Sequence, residues 1–437
     1  MDETPRTTTS PTSPTSPTSP TPPTPPTPLQ GIRVLDLGRH LAGPTCAQYL
    51  GDLGADVIKI ENPERGEDGR AAGPPFFDAD GPAETGESAF FLSANRNKRS
   101  LALDLKRAEG QELFRRLARG SDVVIENFRP GVMEALNIGY EAVSASNPRI
   151  IYCAISGYGA DGPFASRPGL DNIIQGFAGL MTSTGFEGGE PVRVGIPIAD
   201  LLTGLLGAFG ILAALQARER TGRGQRVETS LLESMIGTMG FQAVRVLNGA
   251  GVPPPAGNHH PINAPYGAFR TSDGWLTIGA TGDKRWPTFC ALLGVPEWVA
   301  DPRFVTNGDR YARRYELADL ISERLQARTS AEWEPLLNDA GIPCGPIHRL
   351  DEALDHPQTR HREMVVEREH PTMGRVRLLG LPVKLSETPA VIDRPPPLFG
   401  QHTDEILGEL GLSADDIARL REAGIVRSGE LGVAREA

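Results

Sequence analysis

The sequence predicts a doubly wound α/β protein: a large domain with a Rossmann-like parallel sheet, and a smaller α+β domain. Three observations predict it. Apolar runs of strand length alternate with helical patterns from residue 32 to residue 155. The first two runs, residues 32–37 and 55–61, are joined by one helical segment at 44–53, which makes a βαβ unit and therefore parallel pairing. The texture then changes at a Pro-rich break, residues 252–256.

In order along the chain, further strands are expected at 100–105, 122–126, 149–155 and 225–228. The segment 108–118 is amphipathic, with Leu113, Phe114 and Leu117 on one face, and reads as a helix. A short helix is expected at 131–136, a long apolar one from about Ile198 to about Gln216, and a second mostly apolar one at 231–247. After the break, residues 266–270 and 275–280 form a hairpin around Ser272-Asp273-Gly274. Helices rich in Arg and Glu follow from about 285 to 340. Strands at 364–369 and 375–379 flank a His-Pro-Thr-Met-Gly turn, and a final helix at 402–410 returns to the large domain.

The resulting division is a tail at 1–29, a large domain at 30–250, a small α+β domain at 251–350 and a C-terminal segment at 351–437. The tail repeats Thr-Ser-Pro and then Thr-Pro-Pro and has almost no apolar side chains. It cannot offset the entropy of ordering and is expected to be disordered. Order should begin at Gly31.

A chain of 437 residues is long enough for two or three domains. Its net charge of −11 argues against a nucleic-acid partner and means that an anionic ligand needs a local basic pocket. No apolar run approaches the length of a membrane span, and no signal or transit pattern opens the chain. Cys46, Cys153, Cys290 and Cys344 are widely spaced, without a CxxC, which fits a reducing, cytoplasmic compartment and no structural zinc. Cys344 and His348 lack a second pair of metal ligands.

The common nucleotide signatures are missing. The turn after the first strand is Gly38-Arg39-His40-Leu41-Ala42-Gly43-Pro44, not GxGxxG, and neither a GxxxxGK[ST] loop nor a GxSxG elbow occurs. The fold class binds nucleotides, yet the usual fingerprints are absent.

Asp200 is the strongest catalytic candidate. Pro197 stands just before an apolar helical run, so Asp200 falls in the first helical turn. There the helix dipole favours the ionised carboxylate, which makes it a candidate nucleophile. The alternative reading is a capping residue, and the two are compatible.

Several ordered segments together resemble the family III coenzyme A transferases. They are Val34-Leu35-Asp36-Leu37 with Leu41-Ala42-Gly43-Pro44, Leu53 through Glu61, Asn95 through Ser100 with Leu103-Asp104-Leu105-Lys106, Glu126 through Gly131, Ser156-Gly157-Tyr158-Gly159, and Gly257-Asn258 through Pro265-Tyr266. The resemblance covers Gly31 to about Pro389. It implies that Asp200 is the nucleophile, with acyl-CoA and a small carboxylic acid as substrates and no prosthetic group. The implied route is ping-pong, through a mixed anhydride and an aspartyl-CoA thioester. It also implies an interlocked homodimer.

For CoA itself, the resemblance implies Leu41 and Ala42 near the adenine and Leu103 to Lys106 along the nucleotide. It implies Asn127, Phe128 and Arg129 along the pantetheine and phosphates, and Arg167 to Asp171, including Leu170, facing the thioester. Arg129 and Lys106 suit phosphate chemically. Two positions depart from the family pattern: a phosphate-binding arginine falls on Ala135, and a basic position on Asn62. Arg65, Lys98 and Arg99 are the neighbouring substitutes. The related 2-methylacyl-CoA racemases carry Gly-His-Asp where this chain has Gly169-Leu170-Asp171, and leucine cannot exchange a proton. Gly73-Pro74-Pro75-Phe76, residues 151–158 and the His370-Pro371-Thr372-Met373-Gly374 turn look like the succinate–hydroxymethylglutarate CoA-transferases, which points to dicarboxylic acids.

Overall fold

A computed structural model describes residues 26–84 and 86–429. Strands β1 (Arg33–Asp36), β2 (Asp56–Glu61), β3 (Lys98–Leu103), β4 (Val123–Glu126), β5 (Ile151–Ser156) and β6 (Arg226–Ser230) form the main sheet in the order 3-2-1-4-5-6, all parallel. This is the doubly wound order, with its switch point between β1 and β4. A seventh strand at the edge, Val426–Arg427, pairs antiparallel with β3. Its two residues follow Gly424 and carry no strand pattern of their own.

The sheet is covered on both faces. On one face, helix α1 (Ala42–Asp52) and the long helix α2 (Ile198–Thr221) pack on Val34, Val57, Val123, Ile125 and Ile155. On the other, the helix Ala108–Arg119 joins two C-terminal helices, Thr403–Glu409 and Ala414–Glu422, over Leu35, Ile58, Leu101 and Val124. The chain thus does return to the large sheet, through Ile406, Leu407, Ile417, Ile425 and Val426. A separate apolar cluster between Phe269 and Ile342 surrounds Trp286 and the antiparallel hairpin Tyr266–Arg270 with Trp275–Gly279. A third strand, Cys344–Pro346, completes that small sheet.

Three sequence expectations need correction. The expected single helix at 231–247 is two, α3 (Leu231–Thr238) and α4 (Gly240–Leu247), because Gly240 takes a left-handed φ of 51°. The expected tail lies outside the described residues as far as residue 25, but its last part is folded. Leu29 is in the core, and its N–H donates to the carbonyl of Leu53 at 2.9 Å.

The membrane expectation also changes: α2 has 24 residues, with a mean hydropathy of 2.0 over its most apolar window, and is long and apolar enough to span a bilayer. Ala199, Thr203, Gly204, Gly207, Ala208 and Ile211 are instead buried toward the sheet and α1. Its opposite face leaves Leu205, Leu206 and Phe209 exposed. At Gly204 a Cβ would come within 2.7 Å of the carbonyl oxygen of Ala42, so glycine is what lets α2 lie against the start of α1. Cys46 and Cys153, remote in sequence, both lie beside Gly207 in the core as free thiols.

Candidate active site

The loops leaving the carboxyl ends of β1 to β5 surround one cavity of about 940 Å³. Parallel sheets bind ligands in this crevice, at the switch point, because the diverging loops leave a gap there. Leu41 and Ala42 follow β1, Leu103 and Lys106 end and follow β3, and Asn127, Phe128 and Arg129 follow β4. Arg167, Leu170, Asp171 and Asp200 line the same cavity. The structure therefore gathers every candidate site residue around one space.

Their parts in it differ. Leu41 and Ala42 are almost fully buried, so they offer the cavity little surface. Asn127 braces the β1 loop: its Oδ1 accepts from Arg39 N and its Nδ2 donates to Arg39 O, both at 2.8 Å. Phe128 lies under the Arg39 guanidinium, 5.3 Å from the ring centre. Among the described residues, Lys106, Arg129, Arg167 and Arg193 form no ion pair. They are cations left available to an anionic ligand in a chain of net negative charge.

Of the substitutes considered for the missing phosphate arginine, only Arg65 lines the cavity. Its N–H and that of Glu64 are held by the Asn62 carboxamide. Lys98 is buried and bonded to Asp36, Asn95 and the carbonyl of Pro44. Arg99 is spent on Asp56, Glu405 and Glu409. Ala135 is exposed on its short helix and does not line the cavity.

Asp200 is the third residue of α2, and its side chain makes no capping bond. The cap comes from Asp171, the first residue of the short helix Asp171–Phe177. Asp171 Oδ2 accepts from Ala199 N at 2.8 Å and from Asp200 N at 3.3 Å. Its other oxygen accepts from Gln175 Nε2 at 2.6 Å. Gly157 and Gly169 meet backbone to backbone, where a Cβ on either would lie within 2.7 Å of the other's Cα, and this close approach brings the Leu170 segment to the end of β5.

The expectation that the helix start keeps Asp200 firmly anionic is corrected. Burial, and then the nearby Asp171 charge, push its carboxyl up to about 7. Protonated and ionised forms therefore coexist near neutral pH, and a desolvated carboxylate is a stronger nucleophile than a solvated one. Glu126 is pushed up as well, to about 8 and chiefly by burial, but it does not line the cavity. Perturbation combined with access is what distinguishes Asp200.

Sequence reading missed Arg39, Arg193 and Gln175. Neither arginine belongs to a local pattern that marks a site, and Gln175 lies between Ile174 and Phe177.

Comparison with known proteins shows the family. Residues 29–403 match the family described as CoA-transferase family III. The chain is 40% identical over 404 residues to the human succinyl-CoA:glutarate CoA-transferase, covering 92% of this chain and 90% of that one. It is 35% identical to the succinyl-CoA–D-citramalate CoA-transferase of Chloroflexus aurantiacus, covering 91% and 98%. The crystal structure of a CaiB/BaiF family protein from Brucella suis superposes with a TM-score of 0.79 at 39% identity, covering 88% of this chain and all of that one. Likeness of this extent, over nearly the whole of both chains, means that the protein belongs to family III of the CoA-transferases and is itself a CoA-transferase.

Proposed function

We propose that this enzyme moves CoA from succinyl-CoA to a small dicarboxylic acid of the glutarate type, with Asp200 as the covalent carrier. The observation that carries the reading is Asp200 itself. It is a desolvated carboxyl at the end of a cavity whose other walls offer Lys106, Arg129 and Arg65 to a polyanion.

The route balances without ATP or metal. The Asp200 carboxylate attacks the thioester carbon and expels the CoA thiolate, leaving a mixed anhydride. The thiolate attacks the aspartyl carbonyl of that anhydride, releases the donor acid and forms the aspartyl-CoA thioester. The acceptor carboxylate then attacks this thioester and expels the thiolate again. The thiolate finally attacks the acceptor's carbonyl, giving the new acyl-CoA and restoring Asp200. Leu41, Ala42, Leu103, Lys106, Asn127, Phe128 and Arg129 hold the CoA, and Arg167, Leu170 and Asp171 face the reacting bond. CoA enters as part of the substrate, and no prosthetic group is needed.

The dicarboxylate preference rests on relatives named for succinyl-CoA, glutarate, mesaconate and citramalate. Residues 30–250 form the catalytic domain in this reading, residues 251–350 the small domain and residues 351–437 the returning segment. A homodimer is supported by apolar side chains left exposed on α2 and α4, among them Phe209, Phe241, Val244 and Leu247. Free thiols in the core support a cytoplasmic setting.

The test offers succinyl-CoA with glutarate, mesaconate, citramalate and butyrate and follows new acyl-CoA by mass spectrometry. Hydroxylamine is used to trap the carrier as a hydroxamate on Asp200. Butyrate serving as well as every dicarboxylate would overturn the substrate class, and a hydroxamate on any other residue would overturn the carrier.

A further inference from the structure

A buried side chain ties the segment that leads into the nucleophile helix to the wall of the cavity. Gln175 is fully buried. Its Nε2 donates to Asp171 Oδ1 at 2.6 Å, and its Oε1 accepts from Val194 N at 2.9 Å. Asp171 in turn accepts from the N–H groups of Ala199 and Asp200. One carboxamide therefore spans from the loop carrying Arg193 to the carboxylate that caps α2. A buried amide in mid-helix is costly unless both of its ends are bonded, and here both are. Its neighbours Ile173, Ile174 and Phe177 are apolar, so packing alone does not call for glutamine at this position.

We propose that Gln175 is a positioning residue, whose amide fixes the Asp171 carboxylate and the 194–196 segment together and so holds Asp200 in the geometry for attack. This rests on the reading of Asp200 as the covalent carrier. Removing the amide frees Asp171 to turn away from Asp200. That withdraws negative charge from Asp200. The other charged groups at this end of the cavity are Arg167 and Arg193. The α1 helix packed against α2 has only Asp52, at its far end and paired with Arg96, and α3 has Glu233, bonded to Ser230.

The experiment uses the full chain with Gln175→Met, which keeps the volume and loses both bonds. The Asp200 carboxyl is titrated by NMR in protein labelled with carboxyl-¹³C aspartate, with Asp200→Asn assigning the resonance. Because no substrate is present, this readout does not depend on the transferase reading. The midpoint is expected to fall by about one pH unit. With succinyl-CoA and glutarate, kcat should fall about 30-fold while KM for succinyl-CoA stays within about threefold, as befits loss of an interaction that aligns the reacting groups. Gln175→Asn, one methylene too short to make both bonds, should give intermediate values, and it decides the matter if Gln175→Met does not fold. An unmoved Asp200 midpoint in the variant that folds overturns the brace. A wild-type enzyme that forms no adduct on Asp200 overturns the carrier reading and leaves the titration to judge the brace by itself.

Discussion

Asp36 and Asp200 are both aspartates at the carboxyl end of the same sheet, and their surroundings are opposite. Asp36, the last residue of β1, is fully buried. Burial alone would raise it, but Lys59, Lys98 and the N–H of Gly38 hold it below the usual carboxylate range. Lys98 Nζ reaches it at 2.8 Å and Lys59 Nζ at 3.7 Å. Asp200 is only partly buried, has no cation in contact, and faces another aspartate. One carboxylate is neutralised on all sides and closed to solvent, while the other is left unneutralised and open to a cavity. The first arrangement fixes the β1 turn. The second keeps reactivity, at the cost of a poorly solvated charge.

Asp200→Ala tests the open side of this contrast and should have the largest effect on activity. CoA transfer is expected to fall at least about 1,000-fold, with no hydroxamate trapped and with CoA binding retained. Near wild-type turnover would break the contrast outright. Asp36→Ala tests the closed side. It leaves Lys98 and Lys59 buried without their carboxylate, and should cost about 3–5 kcal/mol in denaturant unfolding. A loss below about 1 kcal/mol would show that the two lysines find other partners.

The two residues should also give stability opposite slopes with pH. The folded-state value of Asp36 is depressed, so its contribution is present above the ordinary 3.8 and is lost as the pH falls. That of Asp200 is raised to about 7, so folding is favoured below 3.8 and the advantage is lost as the pH rises toward 7. Activity runs the other way, because only the ionised form attacks: kcat/KM for succinyl-CoA should rise through an apparent midpoint near 7. An acid limb near pH 4 would mean that Asp200 is far better solvated than its position suggests. Asp200→Asn removes the poorly solvated charge, and should raise Tm at pH 8 by about 2 °C with no gain at pH 5. A lowered Tm at pH 8 would show that the charge is neutralised after all.

Much of this was legible in the sequence, and what escaped has physical causes. The β1–α1–β2 unit and the amphipathic helix Ala108–Arg119 were visible because a parallel strand buried on both faces is a continuous apolar run and a surface helix has a 3.6-residue period. Asp200 was placed correctly in the first turn by Pro197. Its elevated carboxyl was not foreseen, because local sequence shows neither its burial nor the charge of Asp171, which comes from another helix. The strand Val426–Arg427 escaped for a similar reason: two residues have no period, and only the edge of β3 makes them a strand. Lys98 and Arg99 looked like phosphate ligands because sequence shows a charge and not the face it points to.

The N-terminal boundary gives the smallest expected effect, and it separates the chain that supports these two carboxylates from the chain that does not. Leu29 belongs to the apolar cluster beneath β1, and Thr27 lies so close to Gly54 that a Cβ there would meet its Oγ1. Residues 1–25 consist almost wholly of Thr, Ser, Pro and charged residues, a composition that cannot bury enough apolar surface to contribute to a core. Deleting residues 1–25 should therefore leave kcat/KM for succinyl-CoA within about twofold of wild type and leave Tm unchanged within about 1 °C. Deleting through residue 29 removes a buried leucine, for which truncations cost about 2–5 kcal/mol, and should lower Tm measurably while the pH midpoint of activity stays in place. A midpoint that moved with either deletion would mean that the N-terminal segment reaches Asp200, and the cavity at the carboxyl end of the sheet would then have a further wall.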